Sequence, residues 1–268
     1  MDRTLIPNGT EPESRGAQQM FARLAVETPA SIAYVTGRHR ALIERAIEQY
    51  DLPQPDFAIA DVGSTIYKLN RGIWQQWHEW EEKISADWNG LHSSELHAFL
   101  QNITALKLQE QEKQNRHKLS YYLSCVVDEK RVMEEVKNRL TKANIRTNLI
   151  WSIDDEQAVG LLDILPASAN KLHAIKFLMQ KHDFNYDNTV FAGDSGNDLD
   201  VLLSPIHAVL VANASDEIRA ITTRSDLQAS LYQAKGNYLG MNGNYSAGIL
   251  EGVAHFLPYV DSWLKDNQ

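Results

Sequence analysis

Cysteine, long apolar runs and excess positive charge are all scarce in this sequence of 268 residues. A single cysteine, Cys125, excludes a disulfide within the chain, and its alternation into an apolar strand predicts an inert thiol. No apolar run approaches the roughly 20 residues that a membrane-spanning helix needs. The first residues also lack the basic-then-apolar pattern of a secretory signal. These absences favour a cytoplasmic protein and give no sign of a membrane partner.

The charge balance is acidic, with 26 basic against 35 acidic residues and a net charge of −9. A nucleic-acid partner is disfavoured, because its phosphates require a basic surface. A small phosphorylated substrate is not disfavoured, since a metal ion, a few local cations and helix N-termini can hold one phosphate on an acidic protein.

Apolar segments alternate with helical patterns at both ends of the chain. We predict short strands near residues 30–35, 57–60, 189–192 and 207–212, and helices at 40–50, 171–181 and 247–256. This alternation predicts an α/β fold with a Rossmann-like parallel sheet, formed by residues 1–71 and 166–268.

The middle of the chain, residues 72–165, follows a different pattern and is predicted to be an inserted α+β domain. A tryptophan-rich helical stretch opens it, with Trp74, Trp77 and Trp80 three residues apart and Trp88 further on. Their aromatic faces could stack on a sugar ring, but we favour packing in a core. Strands at 119–127, 145–153 and 158–165 and a helix at 129–142 complete the insert.

The most informative motif is the loop Gly193-Asp194-Ser195-Gly196-Asn197-Asp198. Asp194 ends a predicted buried strand, where ligands bind in parallel α/β sheets, and Asp198 follows at the start of the next helix. Two carboxylates at one strand end repel each other unless a cation lies there, and oxygen ligands suit Mg²⁺. The alternative is a helix N-cap with a solvated start.

Two further segments favour phosphate binding beside this loop. Thr36-Gly37-Arg38 lies between a strand and a helix, so its hydroxyl and amide groups can form an anion site. Lys171 begins a helix, where its charge opposes the helix dipole unless an anion is near. The alternatives are an ordinary turn and a solvated lysine. His78, His92 and His117 have no metal-ligand spacing and are expected at the surface.

In this order, the motifs resemble those of the haloacid dehalogenase superfamily. Asp2-Arg3-Thr4 is similar to the end of its Asp-x-Asp-x-Thr loop, and Thr36 and Lys171 match its second and third motifs. Asp194 and Asp198 match its Gly-Asp-x-x-x-Asp loop, and the 72–165 insert lies where one subclass carries a cap domain. The resemblance implies a magnesium-dependent phosphatase.

Within that subclass, the chain is similar to the sucrose-phosphate phosphatases. The similar stretches are Val35 to Arg38, Val62 to Tyr67, Lys118 to Tyr121, Asp163 to Lys171, Gly193 to Asp198 and Ser246 to Glu251. Thr65 stands where this group carries Glu, and Tyr122 and Tyr245 stand where it carries His. The resemblance therefore implies a sugar-phosphate substrate, with sucrose 6-phosphate foremost and a sucrose-phosphate synthase as a candidate partner.

The resemblance also implies roles for individual residues. Asp2 would act as general acid and base and reach the metal with its carbonyl, and Asp194 and Asp198 would complete the metal site. Thr36, Gly37 and Lys171 would bind the phosphoryl group. Asn197, Lys118 and Ser64 are candidates for sugar contacts.

The nucleophile that the resemblance implies is an aspartate two residues before Asp2, and Met1 is the only residue that precedes Asp2 here. The first, central strand of the sheet would also precede Met1. We therefore expect the natural protein to begin further upstream. Three alternatives are a phosphatase for glucosylglycerol or mannosylglycerate phosphate, a phosphomutase, and a sugar-phosphate-binding protein without turnover.

We predict that the 268-residue chain as printed releases no inorganic phosphate from sucrose 6-phosphate, because it lacks the implied nucleophile. A phosphate-release assay on the purified chain measures this. Sustained turnover at a rate typical of enzymes would contradict it, and intact mass spectrometry of the native protein would show whether it starts at Met1.

Overall fold

The computed structural model describes residues 1–154, 157–223 and 229–268. Its α-helices among these residues are α1 Ala17–Glu27, α2 Arg40–Gln49, α3 His78–Ser85, α4 Ser93–Leu100, α5 Glu129–Lys142, α6 Lys171–Lys181, α7 Leu199–Leu202, α8 Asp216–Thr223, α9 Ser246–Phe256 and α10 Pro258–Asp266. Its strands are β1 Ala33–Val35, β2 Phe57–Ala60, β3 Thr65–Asn70, β4 Ile73–Gln76, β5 Lys107–Leu108, β6 Leu119–Ser124, β7 Thr147–Asp154, β8 Val159–Pro166, β9 Val190–Gly193, β10 His207–Leu210 and β11 Leu231–Gln233.

The chain forms two compact units. The first comprises Met1–Thr36, Ala41–Phe57 and Ile175–Gln268, and the second comprises Gly37–Arg40 and Ala58–Ala174. The predicted insert, residues 72–165, lies inside the second unit, and its boundaries stay a prediction.

A parallel sheet in the first unit carries the acidic loop. Its strand order is β11-β10-β9, with Val209 opposite Ala192 and Leu210 opposite Gly193. β10 is buried almost throughout, as expected of a parallel strand covered by helices on both faces. The predicted α/β class with a parallel sheet is therefore confirmed.

Helix α9 packs unusually closely against β10 in this unit. A Cβ atom built on Gly252 would lie 2.2 Å from the Val209 side chain, so only glycine allows this approach. Helix and strand are both apolar along this contact, and Leu250 and Val209 are fully buried. Close packing of α9 thus covers one face of the sheet whose strand end carries Asp194.

A second sheet has the order β1-β2-β3-β4. β3 and β4 form an antiparallel hairpin in which Asn70 pairs with Ile73. Arg71 and Gly72 form its two-residue turn, both with positive φ, as in the turns that fit hairpin twist.

The hairpin corrects the predicted tryptophan-rich helix. Trp74 lies in strand β4, where it contacts the Tyr67 ring edge-on at a centroid distance of 5.4 Å. The helix begins only at His78, because the residues before it alternate as a strand and pair with β3. Core packing is confirmed for Trp80 and Trp88, which are fully buried.

The antiparallel sheet of the second unit has the order β5-β6-β8-β7 and packs against α5. Asp128 caps this helix by accepting a hydrogen bond from the Arg131 amide at 3.1 Å. Val132, Val136 and Leu140, four residues apart, form its buried stripe and contact the apolar face of the sheet. The result is an α+β unit with its own core.

Cys125 lies just beyond β6 and is exposed, so the prediction of a thiol in an apolar strand is wrong; the strand ends one residue earlier, at Ser124.

Among the described residues, no helix has both the length and the apolar character needed to cross a membrane.

Candidate active site

The acidic loop at the end of β9 buries both of its carboxylates. Asp194 is 9% exposed and Asp198 is 5% exposed. Gly193 lets the Asp198 side chain approach the end of β9, since a Cβ at this position would lie 2.8 Å from the Asp198 carboxyl. Asn197 projects from the same loop and is exposed. The structure thus brings Asp194 and Asp198 together, as the sequence predicts.

Asp198 also organises the loop itself. One of its oxygens, Oδ2, accepts hydrogen bonds from the Asp194 and Ser195 amides, both at 3.2 Å, and from the Ser195 hydroxyl at 3.0 Å. These bonds form a capping box at a short 3₁₀ turn from Gly196 to Asp198. The capping alternative is therefore partly correct for Asp198, although its side chain is buried and not solvated.

Thr4 joins the N-terminal segment to this loop. Its hydroxyl donates to Asp194 Oδ1 at 2.6 Å. The Arg3 carbonyl, next to it, accepts a hydrogen bond from the Asn213 side chain at 2.6 Å. Asp2 lies two residues before Thr4, half-buried, and its carboxylate accepts from Asn8 at 2.9 Å. Asp2 therefore lies two residues from Thr4, which is hydrogen-bonded to the acidic loop.

Electrostatic strain is concentrated on Asp194. Burial is the main cause that raises the pKa of its carboxyl, and the neighbouring Asp198 raises it further, while the Thr4 hydroxyl lowers it. The loop therefore gathers negative charge in a place where water cannot fully solvate it. A bound cation would remove this cost.

The residues of the loop fit a magnesium ion. Hard oxygen ligands from one or two carboxylates, with water and phosphate oxygens in the remaining positions, are what Mg²⁺ prefers. Asp194 and Asp198 supply such a pair. In the described part of the chain, no three or more His, Cys, Asp or Glu side chains cluster as a closed metal cage. The loop thus supplies two carboxylates of the kind that such an ion takes as ligands.

A polar cluster is buried in the second unit at the turn between β2 and β3. Thr65 donates to Asp61 Oδ2 at 3.2 Å, and the Ser64 hydroxyl donates to the Asp61 carbonyl at 3.0 Å. Asn115 reaches both hydroxyls, at 3.2 Å to Ser64 and 3.3 Å to Thr65. Burial raises the pKa of Asp61, an effect that Lys118 opposes. The predicted sugar contact Ser64 is therefore one member of a connected network.

Lys118 pairs with a second carboxylate in this unit. Its ammonium lies 3.4 Å from Asp163, whose oxygen also accepts from the Ser120 hydroxyl at 2.5 Å. β6 and β8 bring the three together, because Ser120 and Asp163 are directly opposite in the register. Lys118 is 6% exposed, so its charge is buried and balanced by Asp163.

Sequence reasoning missed the roles of Asp61, Asn115 and Asp163. The available signals were acidic residues within apolar segments, at Asp61 after β2 and at Asp163 inside β8. A charge in such a position needs a partner when it is buried. Asn115 offered no comparable signal, because its contacts depend on the fold.

The remaining predicted phosphate-binding residues are divided between the units. Thr36, 3% exposed, belongs to the first unit together with Asp2, Asp194, Asn197 and Asp198. Gly37 and Lys171 belong to the second, together with Ser64 and Lys118. Lys171 begins α6, as predicted, and is 9% exposed.

His117 corrects the prediction of a surface histidine, since it is 1% exposed. It follows Asn115 closely, and its backbone amide donates to the Asn115 side chain at 2.8 Å. Its ring lies 5.9 Å from that of Trp88, and its Nε2 atom is buried without a hydrogen-bond partner. Burial lowers the pKa of His117 to about 4. His78 and His92 are exposed, as predicted.

Comparisons with known proteins agree with these features. Residues 1–257 match the family described as sucrose-6F-phosphate phosphohydrolase. An HAD-like hydrolase of Nitrosococcus oceani is 49% identical over 99% of this chain and 72% of its own length. A probable sucrose-phosphatase of Arabidopsis thaliana is 28% identical over 84% of this chain, which spans only 50% of that relative.

Among solved structures, the sucrose-phosphatase of Synechocystis sp. PCC6803, in complex with sucrose and phosphate, superposes with a TM-score of 0.74. It is 25% identical, and the match covers 95% of this chain and 94% of that one. The parallel sheet and its acidic loop define an α/β hydrolase of the haloacid dehalogenase type. Since the family match covers nearly the whole sequence, the chain belongs to the sucrose-6F-phosphate phosphohydrolase family, whose class of activity is phosphate-ester hydrolysis.

The three positions that depart from the sucrose-phosphate group lie in different surroundings. Thr65 is buried in the Asp61 network, and the Tyr122 hydroxyl donates to Glu110 at 2.8 Å. Tyr245 is fully buried, and its hydroxyl lies 3.3 Å from Glu11. Thr65 therefore differs from the other two, because it contacts a predicted sugar-binding residue through Asn115.

We predict that His117 makes the protein lose stability as the pH falls. In the unfolded state this histidine binds a proton with a pKa near 6.5, whereas in the folded state it binds one only near pH 4. The free energy of unfolding therefore decreases as the pH falls from about 6.5 to about 4. His117→Leu should remove on the order of 2 kcal/mol of that decline. Chemical denaturation at pH 7, 5.5 and 4.5 measures it.

The exposed His78→Leu is the matched control and should keep the parent's pH dependence. An unchanged decline in His117→Leu would contradict the assignment.

Proposed function

We propose that the protein is a magnesium-dependent phosphatase of sugar phosphates, with sucrose 6-phosphate as its preferred substrate. The observation that carries this is the buried Asp194–Asp198 pair beyond β9, in a chain that matches the phosphohydrolase family over residues 1–257. The charge buried there has a direct chemical use in binding a cation with a phosphate group.

Asp194 and Asp198 would hold the magnesium ion, with the Asp2 carbonyl as a further ligand. When bound, the ion neutralises the phosphoryl oxygens and polarises the ester toward attack. Asp198 keeps one oxygen on the loop amides, so it also fixes the loop's shape. Asp194 is oriented by the Thr4 hydroxyl.

Asp2 is the proposed general acid. Its carboxyl would protonate the sugar oxygen as the phosphate ester breaks and then accept a proton from the hydrolytic water. The carboxyl is half-buried and accepts a hydrogen bond from the Asn8 side chain. No residue of the chain is assigned the role of the nucleophile.

Thr36, Gly37 and Lys171 are the proposed phosphate-binding residues. A hydroxyl, a backbone amide and an ammonium group together stabilise the charge that develops on phosphoryl oxygens during transfer. Lys171 also lies at the start of α6, where the helix dipole adds to the attraction for an anion.

Ser64, Lys118 and Asn197 are the proposed sugar contacts. Ser64 and Lys118 belong to polar networks in which hydroxyl, amide and charged groups are already oriented, and such groups are suited to the many hydroxyls of a sugar. Thr65 is the residue of this region that would adjust the choice of sugar. A sucrose-phosphate synthase partner and a cytoplasmic location complete the proposal.

The proposal predicts that the full chain binds sucrose 6-phosphate in the presence of Mg²⁺ and at least about tenfold more tightly than glucosylglycerol phosphate or mannosylglycerate phosphate. Titration calorimetry measures these affinities. Asp198→Asn should lose the dependence on Mg²⁺, whereas the exposed Asp200→Asn in α7 should keep it. Equal affinities with and without Mg²⁺ in the parent would overturn the metal assignment.

Reaction products separate the phosphatase from a phosphomutase. A version extended by an apolar strand that ends in Asp directly before Met1 supplies the implied nucleophile. We expect it to release inorganic phosphate, and recovery of a rearranged sugar phosphate instead would favour the mutase.

A further inference from the structure

A buried carboxylate outside the proposed contacts lies in the second unit. Asp87, in the short 3₁₀ turn after α3, is 4% exposed. It accepts hydrogen bonds from the Arg146 guanidinium, from the Ser168 amide at 2.7 Å and from the Ser168 hydroxyl. Burying a charged group in this way is costly unless it is fully paired, and Asp87 is paired on both of its oxygens.

The partner Ser168 lies in the short connection from β8 to α6, three residues before Lys171. Two further hydrogen bonds hold the connection between β8 and α6. The Ala167 amide donates to the Arg146 carbonyl at 3.1 Å, and the Asn148 side chain donates to the Ala169 carbonyl at 3.3 Å. The Arg146 amide in turn donates to the Asp87 carbonyl at 2.9 Å, so Asp87 contacts the connection directly through Ser168 and indirectly through Arg146.

The start of α6 continues this set of contacts. The Asn170 side chain accepts from the His173 amide at 2.8 Å, and the His173 ring lies 3.0 Å from the Ser168 carbonyl. On another side, Gly63 packs directly on the Asn170–Lys171 peptide, where a Cβ would lie 2.4 Å from the Asn170 carbonyl carbon. The backbone of Lys171 is therefore held between Gly63 and the segment anchored on Asp87.

We propose that Asp87 is a positioning residue that fixes Lys171 for phosphate binding through Ser168. The inference rests on the proposed function, in which Lys171 binds the phosphoryl group. A lysine side chain is flexible, so its ammonium is precise only when its backbone is held. The Arg146 side chain is 73% exposed, so its ion pair with Asp87 is largely in contact with water. Ser168 donates two hydrogen bonds to the buried carboxylate, and these bind Asp87 to the turn before Lys171.

Phosphate and magnesium affinities of the full chain test this. Inorganic phosphate in the presence of Mg²⁺ is the probe, with Mg²⁺ alone as a second titration. The variants are Asp87→Asn, Ser168→Ala and Lys171→Met, with Asp128→Asn as control, because Asp128 caps α5 in the same unit and contacts none of these groups. Thermal melting of each variant records its stability.

We expect Lys171→Met and Asp87→Asn to weaken phosphate binding by at least about tenfold, since small displacements of a binding group have effects of this order. Ser168→Ala keeps the hydrogen bond from the backbone amide to Asp87 and should weaken phosphate binding about threefold. Magnesium affinity should stay within twofold in all of them, and Asp128→Asn should match the parent in both titrations.

Parent affinity for phosphate in Asp87→Asn and Ser168→Ala, beside a loss in Lys171→Met, would overturn the positioning role alone. An equal loss of phosphate and magnesium affinity in Asp87→Asn would also overturn it, because general destabilisation would explain both. If Asp87→Asn does not fold, Ser168→Ala decides. If the parent binds no phosphate or Lys171→Met binds it as the parent does, the proposed function fails and the inference with it.

Discussion

Two carboxylates buried next to each other at the end of β9 impose the constraint on which the rest of the site depends. Burial and mutual repulsion raise the pKa of Asp194, and the Thr4 hydroxyl, the N-terminal ammonium and the Arg3 charge partly offset them. Asp198 stays in place because three donors of its own loop hold it. A fold that keeps such a pair gains from a cation, and a cation in that position attracts a phosphate.

The second unit handles buried charge differently. Lys118 and Asp163 neutralise each other, and Asp87 is paired with Arg146 and Ser168. Asp61, whose pKa burial raises, is surrounded by hydroxyl and amide donors. Such networks orient polar groups without a metal ion, and this suits recognition of a neutral, hydroxyl-rich ligand.

Several helices and strands, and the acidic loop after β9, could be predicted from the sequence. Strand β9 and the acid spacing after it follow from local pattern, and helix α5 begins and ends at the predicted residues because a cap and an apolar stripe coincide. The hairpin around Trp74 was missed, since tryptophans three residues apart mimic a helix and the Arg71–Gly72 turn was overlooked. His117 and Asn115 could not be found this way, because their contacts are with residues far away in the sequence, Trp88 for His117 and Ser64 for Asn115.

The central claim is that the loop from Asp194 to Asp198 binds a divalent cation, and site-resolved NMR with Mn²⁺ tests it most directly. Mn²⁺ takes the same oxygen ligands as Mg²⁺ and broadens the signals of nearby amides. We predict selective broadening of the amide signals of residues 194–198 and 2–4 at substoichiometric Mn²⁺, reversed by excess Mg²⁺. Sharp signals in these segments, or broadening centred on another part of the chain, would contradict the account.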